Sequence, residues 1–298
     1  MTGSNLSIRP SPGWGLRHAA RLWRLVLACW VVSVISFLPA VLVVDGAVSP
    51  ALENLPDAGV DLPDHEVLLI ARGAVGDVRA PLRLAVVSGA VTLWIWTVMW
   101  HAGMVNWTLW TSGRRLRLGE LLGLGVVSWW RYARLSVLSC MVAIAGGLAL
   151  LLPWSMAEES AYRAALEPRL VSLIAAGVAF VIFHWVLWAA TVRAAWLIGT
   201  PERRSVAVAW LLGLGGTLRV PLASLGTVAL WALPAVFVSL APLVVGVEVP
   251  ALRGGWAIPL LGQLAAAVRA FCWVGLFASF APVTGLVGDE SELDQVAS

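Results

Sequence analysis

Six long apolar runs, each bounded by arginine-bearing segments, constrain this chain more than any other feature. They fall at roughly 22–44, 84–111, 134–154, 170–197, 221–245 and 267–288. A helix rises about 1.5 Å per residue and a bilayer hydrocarbon core is about 30 Å thick, so about 20 apolar residues cross it once. Each run has that length. The expected fold is therefore all-α: a polytopic transmembrane helical bundle of about six spans, with short amphipathic interfacial helices. Hydrophobic residues make up 60% of the 298 and charged residues 12%, too few charges to clothe a water-exposed surface. Residues 1–298 then form a single transmembrane domain, with an extracytoplasmic loop at 45–82 and an acidic cytoplasmic tail at 289–298.

The arginines set the expected orientation. All 20 basic residues are arginine. Thirteen (Arg9, Arg17, Arg21, Arg24, Arg114, Arg115, Arg117, Arg131, Arg134, Arg193, Arg203, Arg204, Arg219) lie on one side of the run pattern, and six (Arg72, Arg79, Arg83, Arg163, Arg169, Arg253) on the other. The positive-inside rule then puts both termini in the cytoplasm. The composition points to a bacterial inner-membrane protein. Leu25 to Val44, behind Arg17, Arg21 and Arg24, reads as an uncleaved first span rather than a signal peptide.

Spans one, three and five each follow an arginine-bearing segment and reach a proline towards the outer end: Pro39, Pro153 and Pro234. LLGLG occurs at both 121–125 and 211–215, so a three-hairpin repeat is a possible plan. Arg117, Glu120, Ser128 and Arg131 share one helical face, as in a helix lying in the headgroup plane ahead of span three. Segment 203–220 shows this pattern more weakly. Arg17, Arg21, Arg24, Arg117, Arg131 and Arg134 are the expected contacts to lipid phosphates. In the loop, Asp61, Pro63, Asp64 and Glu66 read as a helix start. Trp14, Trp23, Trp110, Trp129, Trp130 and Trp154 sit near span ends as interface anchors, while Trp94, Trp96 and Trp100 read as packed between helices.

His101 and His184 lie well inside apolar runs, where ionisable groups are costly enough to be functional candidates. They could face one another as part of a proton or substrate path or as paired haem or metal ligands, or each could simply hydrogen-bond a carbonyl or a hydroxyl such as Thr97 or Thr191. Asn106 belongs to the same candidate path; with Gln263 it could equally join helices by hydrogen bonds. Arg269 breaks the last apolar run, and an interfacial 256–268 would put it at the membrane boundary, snorkelling. The three cysteines (Cys29, Cys140, Cys272) are apolar fillers. No catalytic motif, metal-ligand spacing or cofactor fingerprint is present in the sequence, and none of these is expected. The expected partners are the bilayer, its anionic headgroups and a possible membrane-protein partner, with no nucleic acid.

The segments GLRHAARLWRL, ELLGLGVVSWWRYARL and ATVRAAWLIGTPERRSVAVAWLLGLGGTLRVPL give the chain a layout that resembles uncharacterised bacterial six-span integral membrane proteins. It is loosely similar to the membrane domain of glycerophosphodiester phosphodiesterases. The resemblance implies the fold and carries no site residue. The functional expectation is a non-enzymatic scaffold or accessory protein; a small transporter or permease subunit for a lipid or hydrophobic compound comes second, and an intramembrane enzyme third.

Overall fold

A computed structural model describes residues 9–53, 78–110, 117–161, 166–200, 204–248 and 257–284, together with Gly73 and Gly76. The loop helix start at Asp61 to Glu66 and the acidic tail lie outside the described residues. Among the described residues the chain is helical, with no strand. The helices are α1 (Pro12–Arg21), α2 (Trp23–Glu53), α3 (Arg79–Trp110), α4 (Leu118–Ala161), α5 (Leu166–Ile198), α6 (Val206–Arg219), α7 (Pro221–Glu248) and α8 (Ala257–Ser279). A 3₁₀ turn at Ala281–Thr284 follows α8.

Six of these helices, α2 to α5, α7 and α8, are long and apolar enough to cross a membrane. Their outward side chains are apolar as well: Leu222 and Val127 are each 88% exposed, and Phe237 68%. Such a surface would aggregate in water, whereas lipid solvates it without cost. The architecture is that of a multi-pass membrane protein.

Local sequence explains the breaks. Ser11 and Ser205 cap the two short helices, each accepting a hydrogen bond at 3.3 Å, from the backbone N–H of Trp14 and Val208 respectively. α6 stops at Val220 (φ −129, ψ 61) because the following Pro221 disfavours helical geometry in the residue before it. Pro221 then opens α7, where its missing N–H is harmless. Ahead of span three there is no such breaker. The amphipathic segment from Leu118 therefore runs straight into the span as one 44-residue helix instead of a separate interfacial one. The middle pre-span segment thus differs from α1 and α6, which are helices in their own right.

α8 also departs from the hydropathy reading. It runs from Ala257 to Ser279, about ten residues earlier than the last apolar run suggested. Pro259 suits its first turn, and Pro282 stands just past its end. Arg269 consequently lies in the interior of the helix, not at a boundary.

The helices group into two compact units, Leu27–Thr97 and the remainder, Met1–Val26 with Val98–Ser298. Within Leu27–Thr97, Gly89 of α3 lies against the Ser36 carbonyl and Phe37 of α2. In the larger unit α6 packs on α5, α7 on α8, α1 on α8 and α4 on α5. The α1 contact is close because Gly15 has no Cβ to strike Ser279 and the Gly275 carbonyl. Ser11 N–H also donates to the Ser279 carbonyl at 2.8 Å. Trp14, expected as an interface anchor, is instead 6% exposed and stacked on His18, 4.2 Å between ring centres.

Candidate functional site

Several buried polar side chains of the larger unit, Arg193, Ser224, Thr227 and Ser279, belong to the end of α5, the start of α7 and the end of α8. Arg193, one turn and a half before the end of α5, is 1% exposed. Its Nη2 donates to Ser224 Oγ at 2.9 Å. Its Cζ stands 5.4 Å from the Phe280 ring centre, while Nε and Nη1 are buried without an acceptor. Ser224 lies in the first turn of α7, whose free N–H groups and macrodipole make that end electropositive.

Phe277 of α8 is the hub beside this arginine. Its ring stacks on His101 (4.1 Å, interplanar 7°) and meets Trp100 and Trp196 at 5.5 Å. Its carbonyl accepts the Trp196 indole N–H at 2.9 Å. Next to it, Trp231 Nε1 donates to Ser279 Oγ at 2.9 Å, and Ser279 Oγ donates to the Gly275 carbonyl at 2.8 Å. Each tryptophan thus fills core volume and ties its polar edge to α8. Phe277→Ala is expected to cost about 2–3 kcal/mol in unfolding from detergent micelles. That is below the 3–5 kcal/mol typical of water-soluble cores, because the contacts are lost but the transfer from water is not at stake. A chemical-denaturation midpoint equal to wild type would show that the hub does not hold the unit together.

The sequence-derived candidates are dispersed. His101 faces α8 through Phe277, with Nε2 buried and unpartnered. His184 bonds the Phe180 carbonyl through Nδ1 at 2.8 Å and packs against Phe180 and Phe183 on its own helix. The two imidazoles therefore have separate sets of ring partners. Asn106 donates to Ser128 Oγ at 2.6 Å and to the Ala102 carbonyl at 2.9 Å, joining α3 to α4. Thr191 donates to Ser139 Oγ at 2.8 Å, joining α5 to α4. Among the described residues no three His, Cys, Asp or Glu side chains converge as metal ligands.

The arginines read as phosphate contacts have varied surroundings. Arg24 lies over Trp23 at 5.5 Å and Arg134 over Trp130 at 5.1 Å, both rings exposed. Arg131 donates to the Arg204 carbonyl at 2.9 Å, and Arg117 pairs with Glu120 at 3.8 Å. Arg17 and Arg21 are exposed on α1.

Sequence reading counted Arg193 among the surface arginines, since it closes an apolar run like the others. Nothing in the local string TVRAAWL separates a buried guanidinium from a snorkelling one. In comparisons with known proteins, the chain matches no family model, no curated protein and no solved structure.

Proposed function

We propose that the protein is a non-enzymatic scaffold or accessory protein of the bacterial inner membrane, with both termini cytoplasmic, that holds a second membrane protein. One observation carries this reading: Arg269 is exposed in the interior of α8 and makes no hydrogen bond or ion pair with a described residue. It lies about 15 Å along the helix from Ser279 and about 18 Å from Ala257, taking about 1.5 Å per residue, so both interfaces are remote from its Cα. An arginine at mid-membrane costs about 2.5–3.5 kcal/mol on insertion scales, and such residues normally face a polar partner. A partner helix bearing a carboxylate at matching depth would offset that cost. Arg24 over Trp23 and Arg134 over Trp130 support anchoring to anionic headgroups at the arginine-rich face.

The test is gentle purification of the tagged chain from its native membranes, with mass spectrometry of what accompanies it. A stoichiometric membrane protein is expected with wild type and is expected to be lost with Arg269→Leu. A solitary wild-type protein, or equal recovery of the partner with Arg269→Leu, would refute the scaffold reading.

A second reading, a small transporter or permease subunit for a lipid or hydrophobic compound, draws on the unpartnered Nε2 of His101. That ring stacks on Phe277 and meets Trp100 edge-on, which favours a packing role. Loss of transport in a folded His101→Ala protein would reverse the preference.

A further inference from the structure

The guanidinium of Arg193 is the most conspicuous unsatisfied charge among the described residues. It is 1% exposed, no described carboxylate pairs with it, and two of its nitrogens donate to nothing. Leaving a charge buried and uncompensated is destabilising by several kcal/mol, so a resident arginine of this kind calls for an anion. Its surroundings sharpen the requirement. Nη2 already touches Ser224 in the first turn of α7, so the guanidinium and a helix N-terminus bring like electrostatic signs together.

The unused donors define what would fit. Nε and Nη1 carry three N–H groups between them, and none of these has an acceptor. Ser224 Oγ accepts from Arg193 and gives its own hydrogen to no described acceptor. Thr217, Thr227 and Ser279 differ, since each donates to the carbonyl four residues back. Three N–H groups and one O–H around a positive helix end match the oxygens of a phosphate, which arginine forks and helix N-termini both favour.

We propose that Arg193 and Ser224, at the N-terminus of α7, form a binding site for a phosphate group, carried by a lipid headgroup or free in solution. Phe280, 0% exposed and lying against the guanidinium, closes the site. The site does not depend on the scaffold reading: Arg193 and Arg269 are different residues with different neighbours, and either assignment survives failure of the other.

The test uses the full chain, purified in a phosphate-free maltoside detergent, followed by thermal unfolding and native mass spectrometry. Phosphatidylglycerol and inorganic phosphate are added in separate titrations. A saturating ligand is expected to raise the wild-type midpoint by about 5 °C. A rise with phosphatidylglycerol alone identifies a lipid headgroup, and a rise with both identifies phosphate itself; each comes with a matching adduct in the mass spectrum. Arg193→Gln is expected to lose both the rise and the adduct, and to be more stable than wild type without ligand because the uncompensated charge is gone. Ser224→Ala, which keeps that charge, is expected to bind roughly tenfold more weakly. The proposal is overturned if neither probe shifts wild type, or if Arg193→Gln responds as wild type does.

Discussion

Gly213→Ala is expected to destabilise the protein by about 2–3 kcal/mol, whereas Gly215→Ala is expected to stabilise it by about 0.5–1 kcal/mol. Both glycines belong to the second LLGLG string and both lie inside α6. At Gly213 a Cβ would collide with the Ala190 carbonyl oxygen and stand 3.0 Å from the Ala194 backbone nitrogen. The obstacles are backbone atoms of α5, so they cannot turn aside as a flexible side chain would. At Gly215 nothing lies within 4 Å, leaving only the helix-propensity gain of alanine over glycine. Denaturant midpoints of the two variants in one detergent give the comparison. Equal midpoints would mean that the α5 and α6 contact is not the close one described.

Acid is expected to loosen the docking of α1, with stability falling between about pH 6.5 and pH 4. His18 is partly buried, and burial is the main cause holding its pKa down from 6.5 to about 4; Arg21 and Arg17 add repulsion, while its hydrogen bond to the Trp14 carbonyl works the other way. In the docked state the ring stays neutral down to about pH 4, but once released it takes up a proton below about 6.5. The released state therefore binds more protons in that window. The contribution is complete above pH 6.5, is lost as the pH falls towards 4, and changes no further below that. The loss is about 2–3 kcal/mol after allowing for the ring's partial exposure. The hydrogen-exchange protection of residues 12–21, taken relative to the intrinsic exchange rate at each pH, is expected to fall as the pH drops across this window in wild type and to lose that pH-dependent step in His18→Gln. An unchanged step in His18→Gln would assign the effect to another group.

The two LLGLG strings show where reading a sequence stops. In the first, the second glycine, Gly125, meets the neighbouring helix at the Met99 carbonyl, while Gly123 has open space. In the second the roles are reversed, with Gly213 packed and Gly215 open. Identical strings thus present different faces, because the helices on which they lie are rotated differently against their neighbours. The same limit applies to the arginines. Arg193 and Arg269 both end or interrupt apolar runs, yet one is enclosed by α7 and Phe280 and the other is exposed.

What the sequence determined by itself was the class of fold and the number of apolar helices long enough to cross a membrane. Both follow from one-dimensional quantities, the rise of a helix and the hydrophobicity of its residues. The break at Val220 before Pro221 and the serine caps of α1 and α6 are local effects too, but they emerged with the structure and not from the hydropathy pattern. Only the tertiary structure decided which side of each helix turns inward. In lipid a leucine facing a tail and one facing another helix are solvated almost alike, so the apolar pattern carries little record of the buried face. Close approach at glycine, the hydrogen bonds from tryptophan and asparagine, and the enclosure of Arg193 record that choice, and they exist only once the helices are assembled.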